Sequence, residues 1–154
     1  MIPANDPTFD YKALVRLGYD SCAEAYGDSR RVEPKFEVRA LLDLMDCTGT
    51  LLDIGCGTGV PVSRSLAQQF SVAGVDISSE MIRRARQNVP TGRFICADIM
   101  SVSFPLSSFN AVVAFYSIFH LPREQHQELF RRVHRWLKPG GYLLCTLSYR
   151  GETG

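Results

Sequence analysis

Three glycines at alternate positions, Gly55, Gly57 and Gly59, stand in the stretch LLDIGCGTGV behind a short apolar run that carries an acid, Asp53. Glycine takes positive φ freely and lets a ligand or another backbone come close, at an entropic cost on folding. Between a strand and a helix, such a turn is the setting of a nucleotide loop. The dinucleotide fingerprint GxGxxG fits poorly, because the third glycine comes one residue early and Val60 occupies the last position. A carboxylate at Asp53 would also repel a diphosphate, and it suits a cationic ligand. Asp76 ends the run SVAGVD about twenty residues after the loop, where a carboxylate accepts both hydroxyls of a ribose. Asp98 ends RFICAD, where a carboxylate can accept the exocyclic amine of adenine. A ligand carrying a ribose, an adenine and a positive amino group, without a diphosphate, satisfies all three acids. Each acid also has a structural reading, as a cap for the loop or helix that follows it. His120, in YSIFHLP, titrates in the range useful for proton transfer and is a candidate general base.

The elements that must position these residues follow from periodicity. YKALVRLGYDSCAEAY has apolar residues at helical spacing, and Pro34 fits the first turn of a second helix, KFEVRALLDLM. Short apolar runs bounded by turn residues predict strands near 50–54, 71–76, 93–98, 110–116 and 142–149. Between them, VSRSLAQQF, SSEMIRRARQNV (with Ser78 or Ser79 as N-cap) and REQHQELFRRVHRWL, near 123–137, return to helical spacing. LKPGG reads as a stop signal after the last helix. Alternation of this kind predicts an α/β fold with a mostly parallel, doubly wound sheet, whose ligands bind beyond the carboxyl ends of the strands.

Composition narrows the function classes. The 154 residues, 45% of them hydrophobic, fit one globular domain over 1–154, with a helical part in 1–48 and a core sheet in 49–149. Seventeen basic and sixteen acidic residues leave a formal charge of +1, so no global field favours nucleic acid or an anionic membrane. The five cysteines, at 22, 47, 56, 96 and 145, form no CxxC pair and read as reduced thiols. Without an N-terminal apolar signal region or a long apolar run, a cytoplasmic protein is expected. His126 and His134 fall on the polar helix after His120 and read as surface or packing residues.

DIGCGTG, GVDIS, CADIM, FNAVVAFYSIFHL and LKPGGYLLCT, in this order and spacing, resemble the motifs of class I S-adenosylmethionine-dependent methyltransferases of the small-molecule type. The resemblance covers roughly residues 45–148. It implies a Rossmann-like sheet of order 3-2-1-4-5 and methyl transfer from S-adenosylmethionine, leaving S-adenosylhomocysteine, to a small acceptor without a metal. Asp53 and the loop of Gly55, Cys56, Gly57 and Gly59 would contact the methionine end. Asp76 would hold the ribose, Ile77 would lie against the adenine, and Asp98 with the backbone of Ile99 would read its amine. Phe115 would complete the cofactor site, and Tyr116, Ser117, Phe119 and His120 would face the acceptor. LGYDSCAEAYG is similar to a helix that caps the cofactor in such enzymes, which makes Tyr19 and Tyr26 candidate contacts. The family's sheet carries an antiparallel hairpin after the fifth strand, and SYRGETG ends this chain without one. The strand near 142–149 is then expected as an exposed apolar edge, through which a homodimer is open. A cofactor-binding domain that does not methylate is the second reading, and an NAD-dependent oxidoreductase, disfavoured by the glycine spacing, is the third.

Overall fold

The computed structural model describes residues 10–29, 36–46 and 48–147, with α1 beyond Ala25 described by its backbone alone. Pro34, Cys47 and the stretch 148–154 lie outside the described residues, as does the side chain of Tyr26. The elements run α1 (Tyr11–Ser29), α2 (Phe36–Leu44), β1 (Thr50–Ile54), α3 (Val62–Leu66), β2 (Ser71–Asp76), α4 (Ser79–Asn88), β3 (Arg93–Cys96), β4 (Phe109–Ala114), α5 (Arg123–Trp136) and β5 (Leu137–Cys145). The five strands form one sheet in the order β3-β2-β1-β4-β5, every neighbouring pair parallel.

Side chains alternate across the central strands, so that both faces of the sheet are buried. Leu52, Val112 and Ala114 join Leu129, Val133 and Trp136 of α5 in one core. Leu51, Ala111 and Val113 face the other way, against Val38 and Leu41 of α2 and Leu66 of α3. The chain adds β2 and β3 on one side of β1 and β4 and β5 on the other. The gap beyond the carboxyl ends of β1 and β4 is therefore the topological switch point, where sheets of this type hold ligands.

Several boundaries differ from those the periodicity predicts, each for a local reason. α3 stops at Leu66, because Gln68 N and Gln69 N turn to carbonyls only three residues back, at 3.4 and 3.2 Å, and bring Phe70 into the core. β3 ends at Cys96 rather than 98, and Asp98 instead caps a 3-10 turn, Ile99–Ser101, its side chain accepting from Met100 N. β4 ends at Ala114, before Tyr116, whose φ of 54° leaves the strand conformation. LKPGG does not separate helix from strand: β5 starts at Leu137, and pairing resumes at Tyr142 after an irregularity. Pro139 is tolerated there because β5 is an edge strand. Along that edge Tyr142 and Leu143 are exposed.

The glycine turn after β1 serves two purposes. Gly55 has φ +69°, and a Cβ on it would lie 2.3 Å from Cβ of Ser117, which packs over the turn and donates its Oγ to the Ile54 carbonyl at 2.9 Å. Gly57 has φ +55° with open space around it, and its N–H donates to Asp76 Oδ2 at 2.9 Å. Gly55 thus admits another part of the chain, and Gly57 keeps a backbone face clear. Gly57→Ala should cost about 1–2 kcal/mol, the strain of a left-handed alanine. Gly55→Ala should cost at least about 1 kcal/mol more through overpacking against Ser117. Urea unfolding of both variants checks this, and equal losses would contradict the assignment.

Candidate functional site

A cavity of about 450 Å³ lies at the switch point, a volume suited to one small ligand. Loops after four strands build it, and α1 covers it. Tyr19, Asp53, Gly55, Cys56, Gly57, Asp76, Ile77, Asp98, Ile99, Phe115, Tyr116, Ser117 and His120 all line it. Among the described residues proposed from the sequence for cofactor or acceptor, two do not. Gly59 instead lies against α4, where a Cβ would be 3.1 Å from Val89 and 3.5 Å from Ala85. Phe119 is exposed outside the cavity lining, its ring centroid 4.5 Å from that of His120.

The acids differ in setting. Asp53, the penultimate residue of β1, is 2% exposed and accepts from Ser63 Oγ at 2.6 Å. Burial raises its pKa to about 7; the Ser63 hydrogen bond opposes the rise and the charge of Asp76 adds to it. Asp76, at the end of β2, takes two backbone donors, Gly57 N on Oδ2 and Ser78 N on Oδ1, both at 2.9 Å. Burial lifts its pKa above the usual carboxylate value, those two backbone donors pull it down, and Asp20 raises it again. Asp98 pairs with Lys12 Nζ through Oδ2 and accepts from Met100 N through Oδ1 at 3.0 Å. Burial and the two neighbouring carboxylates push the Cys56 thiol up, which leaves it protonated and chemically quiet.

The opposite wall carries the proton-transfer candidate. Burial holds the His120 pKa below its ordinary value, so the imidazole is neutral at pH 7. His120 Nε2 and Tyr19 Oη share a hydrogen bond of 2.7 Å, with the rings edge to face at 5.5 Å between centroids. Tyr116 N donates to Thr146 Oγ1 at 2.6 Å, which holds the left-handed residue at the end of β4. His126 bonds the Leu121 carbonyl at 2.9 Å, and His134 is exposed on α5, neither of them in the cavity.

Lys12, Val15, Thr58 and Pro61 also line the cavity and had not been singled out. A signal for two of them was available: Lys12, Val15 and Tyr19 stand at three-to-four spacing, on one face of α1. Ser63 gave no such signal, since only the fold brings it under Asp53. Among the described residues no group of three His, Cys, Asp or Glu side chains could hold a metal ion. The donor set of the cavity is acidic, with carboxylates at the ends of β1 and β2 and on the turn after β3, and with Lys12 paired to the last of them. It accepts amines, cations and hydroxyls, and it would repel a diphosphate.

Asp53 makes stability depend on pH. Between about pH 4 and 7 the folded chain keeps a proton on Asp53 that the unfolded chain has released, so this contribution is present at pH 4 and lost as the pH rises through 7. Asp53→Asn should therefore be more stable than the parent above pH 7, by an amount of order a few kcal/mol, with the difference vanishing near pH 4. Chemical unfolding at pH 4.5 and 8, values chosen on either side of about 7, checks the sign. A less stable variant at the higher pH would contradict it.

Residues 51–141 match the family model described as a methyltransferase domain. Over 100 residues, 60% of the chain, it is 37% identical to 27-O-demethylrifamycin SV methyltransferase of Amycolatopsis mediterranei, and covers 36% of that protein. It is 38% identical over 110 residues to 2-methyl-6-phytyl-1,4-hydroquinone methyltransferase of Synechocystis, covering 67% of this chain and 33% of that one. Among solved structures it is similar to phosphoethanolamine N-methyltransferase 2 of Haemonchus contortus in complex with phosphomonomethylethanolamine and S-adenosylhomocysteine. That likeness has a TM-score of 0.74 at 25% identity and covers 94% of this chain and 39% of the other. The chain thus spans about a third of the length of these two curated relatives. A five-stranded parallel sheet of order 3-2-1-4-5 with the glycine turn and three acids after its first three strands lining the switch point agrees with that match. The chain belongs to the methyltransferase domain family and has the class I, S-adenosylmethionine-dependent fold.

Proposed function

We propose that this chain binds S-adenosylmethionine in the cavity at its switch point and passes the methyl group to a small-molecule acceptor. The observation that carries the reading is the convergence of Asp53, Asp76 and Asp98 on one cavity beside the open backbone of Gly57. When bound, S-adenosylmethionine supplies a methyl group already activated by its sulfonium. The chain's own residues have to bind, align and exclude water. Asp53 faces the amino group, with Ser63 holding its carboxylate in place. Asp76, fixed by the N–H groups of Gly57 and Ser78, keeps lone pairs for the ribose hydroxyls. Ile77 lies against the adenine, and Asp98 with the backbone of Ile99 reads its amine. Phe115 closes the floor, and Tyr116, Ser117 and His120 stand toward the acceptor.

His120 takes the acceptor's proton, a role open to a neutral imidazole and needed when the nucleophile is a hydroxyl or a protonated amine. Tyr19 bonds the same nitrogen, and an acceptor reaches it by replacing that phenol or by passing its proton through it. The printed names of the relatives, which include methyltransferases of a rifamycin, a hydroquinone and phosphoethanolamine, support small acceptors without selecting one. No described helix is long and apolar enough to cross a membrane, and the described cysteines are free thiols, which supports a cytoplasmic setting. One domain over the whole chain is part of the reading, as is pairing of two copies along the exposed edge of β5. A monomer at micromolar concentration in sedimentation would remove that last part.

The test of transfer uses methyl-labelled S-adenosylmethionine with a panel of phenolic, amine and phosphobase acceptors. Label should pass to at least one of them. His120→Ala should slow that transfer by about a hundredfold or more, while S-adenosylhomocysteine binds within about threefold of the parent. A matched loss of affinity and rate would make His120 a binding residue. Binding without transfer to any acceptor would favour the second reading, a cofactor-binding domain that does not methylate.

A further inference from the structure

α1 covers the cavity with little apolar anchorage. Of its described side chains only Ala23 is buried, while Leu14 and Leu17 are exposed. Polar clasps hold it instead. Asp20 Oδ1 accepts from Ser78 Oγ and from Glu80 N, Tyr19 bonds His120, and Lys12 pairs with Asp98. The clasps end at the start of α4 after β2 and on the segments after β4 and β3, all at the carboxyl edge of the sheet.

The Lys12 clasp differs in where it lands. Asp98 is the carboxylate placed for an adenine amine, and both its oxygens are engaged, Oδ2 by Lys12 Nζ and Oδ1 by Met100 N. The position of Lys12 is not explained by helix stability. It stands in the first turn of α1, where the positive end of the helix dipole disfavours a cation, two residues after Asp10, whose carboxylate caps Ala13 N at 2.9 Å. Lys12 also lines the cavity itself.

We infer that Lys12 is a latch on the cofactor site: it competes with the adenine amine for Asp98, so that binding the cofactor releases the first turn of α1. The inference rests on the proposed adenine-reading role of Asp98. The exchange is feasible because the pair is partly exposed, with side chains 33% and 23% accessible, and such pairs are weak. A hydrogen bond from the amine to a carboxylate is of similar or greater strength, so the cofactor displaces Lys12 at a reduced net affinity. The latch favours a closed, water-poor cavity before the ligand arrives and loosens the entry when it does.

The test titrates 5′-deoxy-5′-methylthioadenosine, which has the adenine and ribose but no net charge, into the parent chain, Lys12→Met and Lys12→Arg. Lys12→Met should bind about two- to fivefold tighter at low salt, the range a partly exposed pair supports. Raising salt from about 50 mM to about 0.5 M screens such a pair, so the parent should gain affinity and Lys12→Met should not respond. Lys12→Arg should behave as the parent. Lys12→Gln, with the same expected gain, replaces Lys12→Met if circular dichroism shows that variant misfolded. Equal or weaker binding by the charge-free variant, with the parent binding the nucleoside, overturns the latch and leaves the cofactor reading in place. No binding of this nucleoside, S-adenosylmethionine or S-adenosylhomocysteine by any folded form overturns both.

Discussion

The carboxylate of Asp76 is the tie on which the site depends. One oxygen takes the N–H of Gly57 and the other the N–H of Ser78, each at 2.9 Å. Those two bonds fasten the glycine turn after β1 to the turn after β2 and set the start of α4, whose N-cap Ser78 in turn accepts from Met81 N at 3.1 Å. Parallel pairing of β1 and β2, from Thr50 opposite Ser71 to Ile54 opposite Val75, brings the two turns level. Without the carboxylate, two part-buried backbone donors would lose their acceptor, at a cost of up to about 1–3 kcal/mol for each one that water does not reach.

The arrangement that makes the site also strains it. Asp53, buried, and Asp76, part-buried, are neighbouring acids, each with its pKa raised first of all by desolvation. Packing alone does not explain two such groups, since a carboxylate withdrawn from water without a cation costs stability. A ligand that brings an ammonium to Asp53 and hydroxyls to Asp76 relieves that cost, so the energy withheld from the fold becomes affinity. The opposite wall follows the same logic. His120 is kept neutral by burial and ready to accept a proton, and α1 with its polar clasps covers both walls.

Much of this was legible in the sequence because the relevant signals are local. The extents of β1 and β2, the capping by Ser78 and the placement of Asp53 and Asp76 follow from apolar runs bounded by glycine, serine and aspartate. What was not legible depends on partners far apart in the chain. Gly55 is required by Ser117, 62 positions later in the chain (117 − 55), and nothing near either residue announces the contact. Gly59 shares the motif's spacing yet serves the packing of α4. Asp98 looked like a strand end, but its side chain captured Met100 N and ended β3 two residues early. The spacing on α1 puts Lys12 on the face of Tyr19, but its pairing with Asp98, 86 residues away, has no local sign.

The most direct test of the central claim, that the acids at the switch point hold S-adenosylmethionine, is a calorimetric titration with S-adenosylhomocysteine at pH 7.5, about half a unit above the raised pKa of Asp53, with NAD as the control. The account predicts micromolar binding of S-adenosylhomocysteine at one site per chain and none of NAD. No binding of the first by a folded chain, or binding of NAD in its place, would contradict it.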